Sequence, residues 1–207
     1  MNDVSRETRG RLDIFVNELS KWQRAINLVA PSTITDVWDR HVADCIQLVD
    51  HAPRETGSTW VDLGSGGGLP GLVVAAAYPS DTVHLIESDG RKCAFLRHAS
   101  RLMQVNTRVW EGRVEEVALK VTPAPDIVTA RALAPLATVL RYSKPWLSGG
   151  AIGLFMKGRQ FDAELTVARE SWRFDADLIP SRTDPDARII RISRFEGAVP
   201  SPSGSHA

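Results

Sequence analysis

The sequence predicts an α/β fold: a Rossmann-like, mostly parallel sheet with an antiparallel edge, preceded by helices. Three observations carry this. From Thr59 onward, short β-rich runs alternate with helical patterns, the rhythm of a parallel sheet covered on both faces. The first run, "TWVDL", passes straight into a glycine turn, "GSGGG", where an open α/β sheet meets its ligand. The last two runs, "WRFDADLI" and "ARIIRI", are split by "PSRTDPD" and read as an antiparallel edge pair.

Taken in order, the chain opens with helices. Leu12, Phe15, Val16, Leu19 and Ile26 follow helical spacing along one apolar face. Pro31 breaks the chain and Ser32 can cap a second helix, with Ile34, Val37, Trp38, Val42, Cys45, Leu48 and Val49 on its apolar side. "DHAPRETGS" reads as a linker. Strand and helix patterns then pair off: "TWVDL" with "LVVAAAY", "TVHLIE" with "RKCAFLRHASRLM", "TRVWEG" with "VEEVAL", and "DIVTA" with "LATVLRYS", followed by "AIGLFMK" and the edge pair. The expected division is a helical segment at 1–57 packed on a core domain at 58–196, with a disordered tail at 197–207.

A chain of 207 residues, 43% apolar and 24% charged, suits one globular domain with a modest appendage. No apolar run approaches the roughly 20 residues of a membrane span, and the charged N-terminus lacks a signal core. Cys45 and Cys93 stand far apart and fit neither a metal spacing nor a disulfide framework, so no metal is expected and the cytoplasm is the default location. Formal charge is zero, but residues 91–160 carry 12 Lys/Arg against 4 Asp/Glu. That basic middle offers a polyanion a landing surface, or is simply a set of solvated helix faces.

The glycine turn admits three readings: a phosphate loop, a nucleoside loop or a plain turn. Gly66, Gly68 and Gly71 match G-x-G-x-x-G literally, the dinucleotide fingerprint. Its first glycine should directly follow the strand, however, and here that is Gly64. Counted from Gly64, the third glycine is replaced by Leu69. What remains is Asp62-x-Gly64-x-Gly66, which resembles the loop of S-adenosylmethionine-dependent methyltransferases. Such a cofactor has no pyrophosphate and carries an ammonium group, which an acid beside the loop can meet directly or through water, while glycines admit close backbone approach. Glu87 ends the second strand, where a carboxylate can accept both hydroxyls of a ribose, or stay solvated.

Six motifs in one order extend the resemblance over nearly the whole chain: "RHVADC", "VDLGSGGGLPG", "LIESDGRKCAFLR", "GRVEEV", "TARALAPL" and "MKG". Together they resemble the ribosomal RNA small subunit methyltransferase G family, also called glucose-inhibited division protein B. The resemblance implies a class I methyltransferase fold with N-terminal helices. It also implies S-adenosylmethionine as cofactor and methyl transfer to N7 of a guanine in small-subunit (16S) ribosomal RNA. The implied partner is that RNA or the assembled small subunit, met by a monomer. Implied cofactor contacts are Gly64, Leu69, Val114, Glu115 and Arg131, which join Asp62, Gly66 and Glu87 from the loop reading. Departures are mild: Glu87 where an aspartate is common, Arg91-Lys92 in reversed order, and Cys45 for a serine.

N7 of guanine is an unprotonated lone pair, so transfer to it requires positioning and a dry pocket rather than a general base. No catalytic base is therefore expected. Arg131, past the fourth strand, can reach the cofactor carboxylate, guanine O6 or an RNA phosphate, or pair with a nearby acid. Lys157, ending the fifth strand, either positions RNA or is solvated. On the helix from Gly90, Phe95, Leu96, Ala99, Leu102 and Met103 form the apolar face and Arg97, His98 and Arg101 the wet one. Lys92 falls on the apolar side, where it must snorkel or find an acid or an RNA phosphate. His41 is either a satisfied core histidine or, with Arg40 and Asp44, part of a lid. The competing functions are a same-fold methyltransferase for a small molecule or protein, and a non-catalytic RNA-binding assembly factor.

Overall fold

The computed structural model describes residues 4–53 and 57–200. Seven strands are present among them: β1 Thr59–Leu63, β2 Thr82–Glu87, β3 Thr107–Glu111, β4 Ile127–Arg131, β5 Ile152–Lys157, β6 Trp172–Pro180 and β7 Arg188–Ala198. They form one sheet in the order β3-β2-β1-β4-β5-β7-β6. The first five in that order run parallel, and β7 is antiparallel to both its neighbours. β1 is buried along its whole length, as a central parallel strand covered on both faces must be.

Register positions the site. Leu63 of β1 pairs with Ile86 of β2 and with Ala130 of β4. The next residues, Gly64, Glu87 and Arg131, therefore stand side by side at the carboxyl edge, where the strand order reverses and the crevice of such a sheet opens.

The helices are α1 Arg6–Trp22, α2 Ala43–Ile46, α3 Gly71–Ala77, α4 Gly90–Met103, α5 Val114–Val117, α6 Leu136–Leu147 and α7 Phe161–Ser171. Trp60 and Val61 point to opposite faces of the sheet. Trp60 joins Leu12, Phe15, Leu72 and Phe95 from α1, α3 and α4. Val61 joins Leu140, Phe155 and Leu165 on the side of α6 and α7. Ser5 caps α1 by accepting the Thr8 N–H at 3.1 Å, and Asp89 caps α4 by accepting from Arg91 and Lys92.

Several expectations are corrected. Ile26 is buried but lies past the end of α1. The second helix is not regular: a 3-10 turn at Pro31–Thr33, a π-helical turn at Trp38–Val42, α2 and a second 3-10 turn at Gln47–His51 replace it. Ser32 makes no cap. Within the π turn, Ala43 N–H reaches back to Trp38, and the Arg40 carbonyl accepts from the Arg131 guanidinium at 3.3 Å. Helix α7, with only Leu165 and Ala168 buried, carries no readable apolar stripe. Strand β7 continues to Ala198, past the expected boundary at 196, and the tail from 201 lies outside the described residues.

On α4, Leu102 is 45% exposed. Helical angle gives it the direction of Phe95 but not the cover, although Met103 beside it is buried. His98 is not on a wet face; it meets Glu18 of α1 at 2.8 Å and packs on Trp22. No described helix is long and apolar enough to cross a membrane.

Candidate functional site

The loop after β1 forms one wall of an open cleft of about 1050 Å³. Gly64 and Gly66 have φ of +64° and +52°, the left-handed region that L side chains rarely adopt. The loop is held by its neighbour strand: Ser65 N–H donates to the Ile86 carbonyl at 2.9 Å, and Gly66 N–H donates to Glu87 Oε2 at 2.9 Å. The other Glu87 oxygen accepts from the N–H groups of Ser88 and Asp89 at 2.7 and 2.8 Å. Glu87 is buried yet lines the cleft, so the carboxylate that faces a ligand also fixes the loop.

Asp62 behaves differently. It pairs in register with Leu85 and Thr129, one rung below the edge, and is 1% exposed. Its carboxylate accepts from Thr129 Oγ1 at 3.0 Å and Gly71 N–H at 3.2 Å. Asp62 does not line the cleft; it ties the loop's far end to β4 from beneath. Burial pushes its carboxyl up to about 7, against the downward pull of its donors. The structure thus gives Asp62 a structural role beneath the loop, with no side-chain surface on the cleft.

Of the other expected cofactor residues, Gly64, Gly66, Leu69, Glu87, Val114, Glu115 and Arg131 all line the cleft. Val114 and Glu115 open α5 after β3, and the Glu115 carboxyl is lowered chiefly by backbone hydrogen bonding, with the Tyr142 hydroxyl adding to it. Sequence reasoning missed Tyr142 and the segment 27–31, which also line the cleft. Tyr142 had no local signal, and 27–31 lies in an irregular stretch between two helical patterns. It also missed Ala132, a non-glycine residue at φ +54° directly after Arg131. Such backbone concentrates at functional positions.

Arg131 pairs with a nearby acid while still lining the cleft. Its Nε pairs with Asp44 Oδ2 at 3.2 Å, and one terminal nitrogen donates to His41 Nδ1 at 2.8 Å and to the Arg40 carbonyl. Because a guanidinium only donates, His41 Nδ1 accepts, and its Nε2 carries the proton toward Thr33 Oγ1 at 2.8 Å. The Thr33 hydroxyl in turn donates to the Ala30 carbonyl at 2.8 Å. Burial first, then Arg131, pushes His41 down to about 4, which agrees with a neutral ring. His41 is therefore both a satisfied buried histidine and a cleft-lining one.

Lys157 is neither solvated nor beside the cofactor cleft. It is buried, donates to the Ala134 carbonyl, pairs with Glu164 at 2.8 Å, and lines a second cavity of about 830 Å³. Lys92 lines the first cleft and a small neighbouring cavity of about 320 Å³ that Arg24 and Arg91 share. Among the described residues its ammonium has no ion-pair partner. Among the same residues, no group of three or more His, Cys, Asp or Glu could hold a metal.

The arrangement suits an adenosine carrying a charged, flexible tail: a paired carboxylate for hydroxyls, a backbone-lined loop, the apolar Leu69 and Val114, and an arginine at the far end. Four similarities accompany it. A family model described as rRNA small subunit methyltransferase G matches residues 9–184. The chain is 50% identical over 201 residues to the ribosomal RNA small subunit methyltransferase G of Methylobacterium nodulans, covering 95% of this chain and 93% of that one. Among solved structures, it resembles a fibrillarin/Nop5p complex (TM-score 0.60, 13% identity, 77% of this chain and 83% of that one). It also resembles Aeropyrum pernix fibrillarin with natively bound S-adenosyl-L-methionine (TM-score 0.55, 15% identity, 72% and 76%). At those identities the likeness concerns the fold alone.

Proposed function

The chain belongs to the rRNA small subunit methyltransferase G family, and from that premise we propose that it transfers a methyl group from S-adenosylmethionine to N7 of a guanine in small-subunit ribosomal RNA. The observation that carries the cofactor half is Glu87, whose carboxylate lines the cleft while pinning Gly66 at 2.9 Å. The donor set suits the cofactor. Glu87 keeps lone pairs for ribose hydroxyls, Gly64 and Gly66 leave backbone accessible, and the start of α5 offers backbone groups to an adenine edge. Asp62 supports this from below, and Arg131 is left to meet a carboxylate or the base.

Held by Glu87, the Gly64–Gly66 loop and the start of α5, the cofactor would supply an electrophilic methyl group to a nitrogen that carries no proton. The chain's task is then to hold, orient and dry the reacting groups. In this reading no base is required. Neutral His41 is occupied by Arg131 and Thr33, and Lys157 by Glu164. Lys92 and the basic middle segment are suited to RNA phosphates. A cytoplasmic location and action as a monomer accompany this reading.

The test is to incubate the purified chain with methyl-labelled cofactor and unmodified small ribosomal subunits, then map the label. Label on N7 of one guanine is expected. Label on protein or on a small molecule, or cofactor binding with no transfer at all, overturns the proposal.

A further inference from the structure

The stretch 27–31, between α1 and the 3-10 turn at Pro31–Thr33, lines the cofactor cleft with every one of its residues. Residues 27–30 belong to no helix or strand. Among the described residues, Asn27, Leu28 and Val29 make no backbone–backbone hydrogen bond. A stretch without its own ladder needs other partners to hold its place.

One side chain supplies most of them. Gln23 Oε1 accepts from the N–H groups of Leu28 and Val29 at 2.8 and 3.0 Å, and Gln23 Nε2 donates to the Val29 carbonyl at 2.9 Å. An amide offers an acceptor and a donor from one carbon, which neither a carboxylate nor an ammonium does. The far end is tied by Thr33, whose hydroxyl and N–H donate to the Ala30 carbonyl at 2.8 and 2.9 Å. The same hydroxyl accepts from His41, which in turn takes Arg131.

Between its two ties the stretch rests on the glycine loop. A Cβ at Gly67 would stand 2.9 Å from the Leu28 carbonyl oxygen and 3.3 Å from Leu28 Cβ. The Leu28 side chain is buried in the same cluster as Leu12 of α1 and Leu72 of α3. Strap and loop are thus fitted to each other, and a shift of the strap moves a wall of the cleft.

We infer that Gln23 is a positioning residue for the cofactor: it does not line the cleft, and it sets the place of the strap that does. This rests on the reading of the cleft as the seat of S-adenosylmethionine.

The test compares Gln23→Met, which keeps the length and loses all three hydrogen bonds, with Gln23→Glu, which loses only the donor to Val29. On each, hydrogen exchange of the Leu28 and Val29 amides is measured beside calorimetric affinity for S-adenosylhomocysteine. A strap in place about a tenth of the time lowers apparent affinity about tenfold, the loss expected for Gln23→Met. Both amides should then exchange faster, and bound S-adenosylhomocysteine should slow them again. Gln23→Glu should recover the amide protection and most of the affinity. If Gln23→Met does not fold, Gln23→Asn, one methylene short, carries the same expectation. Parent-like affinity while the amides exchange freely, parent-like protection without Gln23, or equal weakening in the Met and Glu variants overturns the assignment. If the unsubstituted chain binds no S-adenosylhomocysteine, the cofactor reading falls instead.

Discussion

Gly71 tests how closely the loop, the helix after it and the sheet are fitted. Placed at Gly71, a Cβ would stand 2.3 Å from Leu85 Cδ2, 2.8 Å from Asp62 Oδ2 and 3.1 Å from Asp62 Cβ. Leu85 is fully buried in β2 and Asp62 nearly so in β1, so neither can turn aside into solvent. Backbone strain does not enter, because Gly71 is not in the left-handed region. Gly71→Ala therefore combines overpacking, about 1–3 kcal/mol, with displacement of a carboxylate from a buried N–H, about 1.5–3 kcal/mol. Together these predict a loss of roughly 3–5 kcal/mol, a large share of a typical domain's stability. In urea, at a slope of about 2 kcal/mol per molar, the midpoint should drop by about 2 M. Gly10→Ala is the control. It lies within α1 with nothing within 4 Å of a Cβ, and should stabilise by about 0.5–1 kcal/mol. A Gly71→Ala protein within about 1 kcal/mol of the parent, with the same slope, would refute the packing argument.

Three further outcomes are expected. Glu87→Gln sets an amide N–H against one of three converging backbone donors; calorimetry should read at least tenfold weaker binding of S-adenosylhomocysteine, and unchanged affinity would remove Glu87 from the site. Asp62, pushed up from 3.8 to about 7, keeps its proton in the folded chain while the unfolded chain has lost it. Its contribution to stability is thus present at low pH and fades as pH rises from about 4 to about 7, by up to about 1.4 kcal/mol per pH unit. His41 and His84, both pushed down to about 4, work in the opposite direction. The decisive quantity is therefore the stability difference between the parent and Asp62→Asn, which should change between about pH 5 and about pH 8; a constant difference would contradict it. Lys92→Gln should lower the slope of log affinity for rRNA against log salt by roughly one, and an intact slope would mean that Lys92 meets no phosphate.

Most of the sheet was legible because central parallel strands are short, continuous apolar runs, and β1 to β5 fall where the alternation of patterns put them. The site was legible for a related reason. Strand ends of one parallel sheet share an edge, so motifs at 64–69, 87, 114–115 and 131 converge on one cleft without any long-range information. Asp62 shows the limit of that argument. Two residues before the glycine sounds like the edge, but register with Thr129 places it one rung down, inside the sheet. Gly71 shows another limit. The literal fingerprint from Gly66 to Gly71 is out of step with the strand, yet Gly71 still does what a third glycine does, admitting the helix close to β1 and β2.

What stayed hidden depends on contacts that no local pattern encodes. Helix α7 buries only Leu165 and Ala168, too few for a readable stripe. The segment 31–51 has a helical apolar pattern but is distorted around Arg131, which lies 91 residues from the carbonyl it takes. Lys157 could be read as positioning RNA or as solvated, and neither reading anticipates Glu164, one helical turn into α7, which pairs with it at 2.8 Å. The cluster around Asp44 is the extreme case, assembled from the π turn, the end of β4 and the β6–β7 connection through one carboxylate. Each piece reads as ordinary on its own, and only the folded register brings Asp44, His41 and Arg131 to one point.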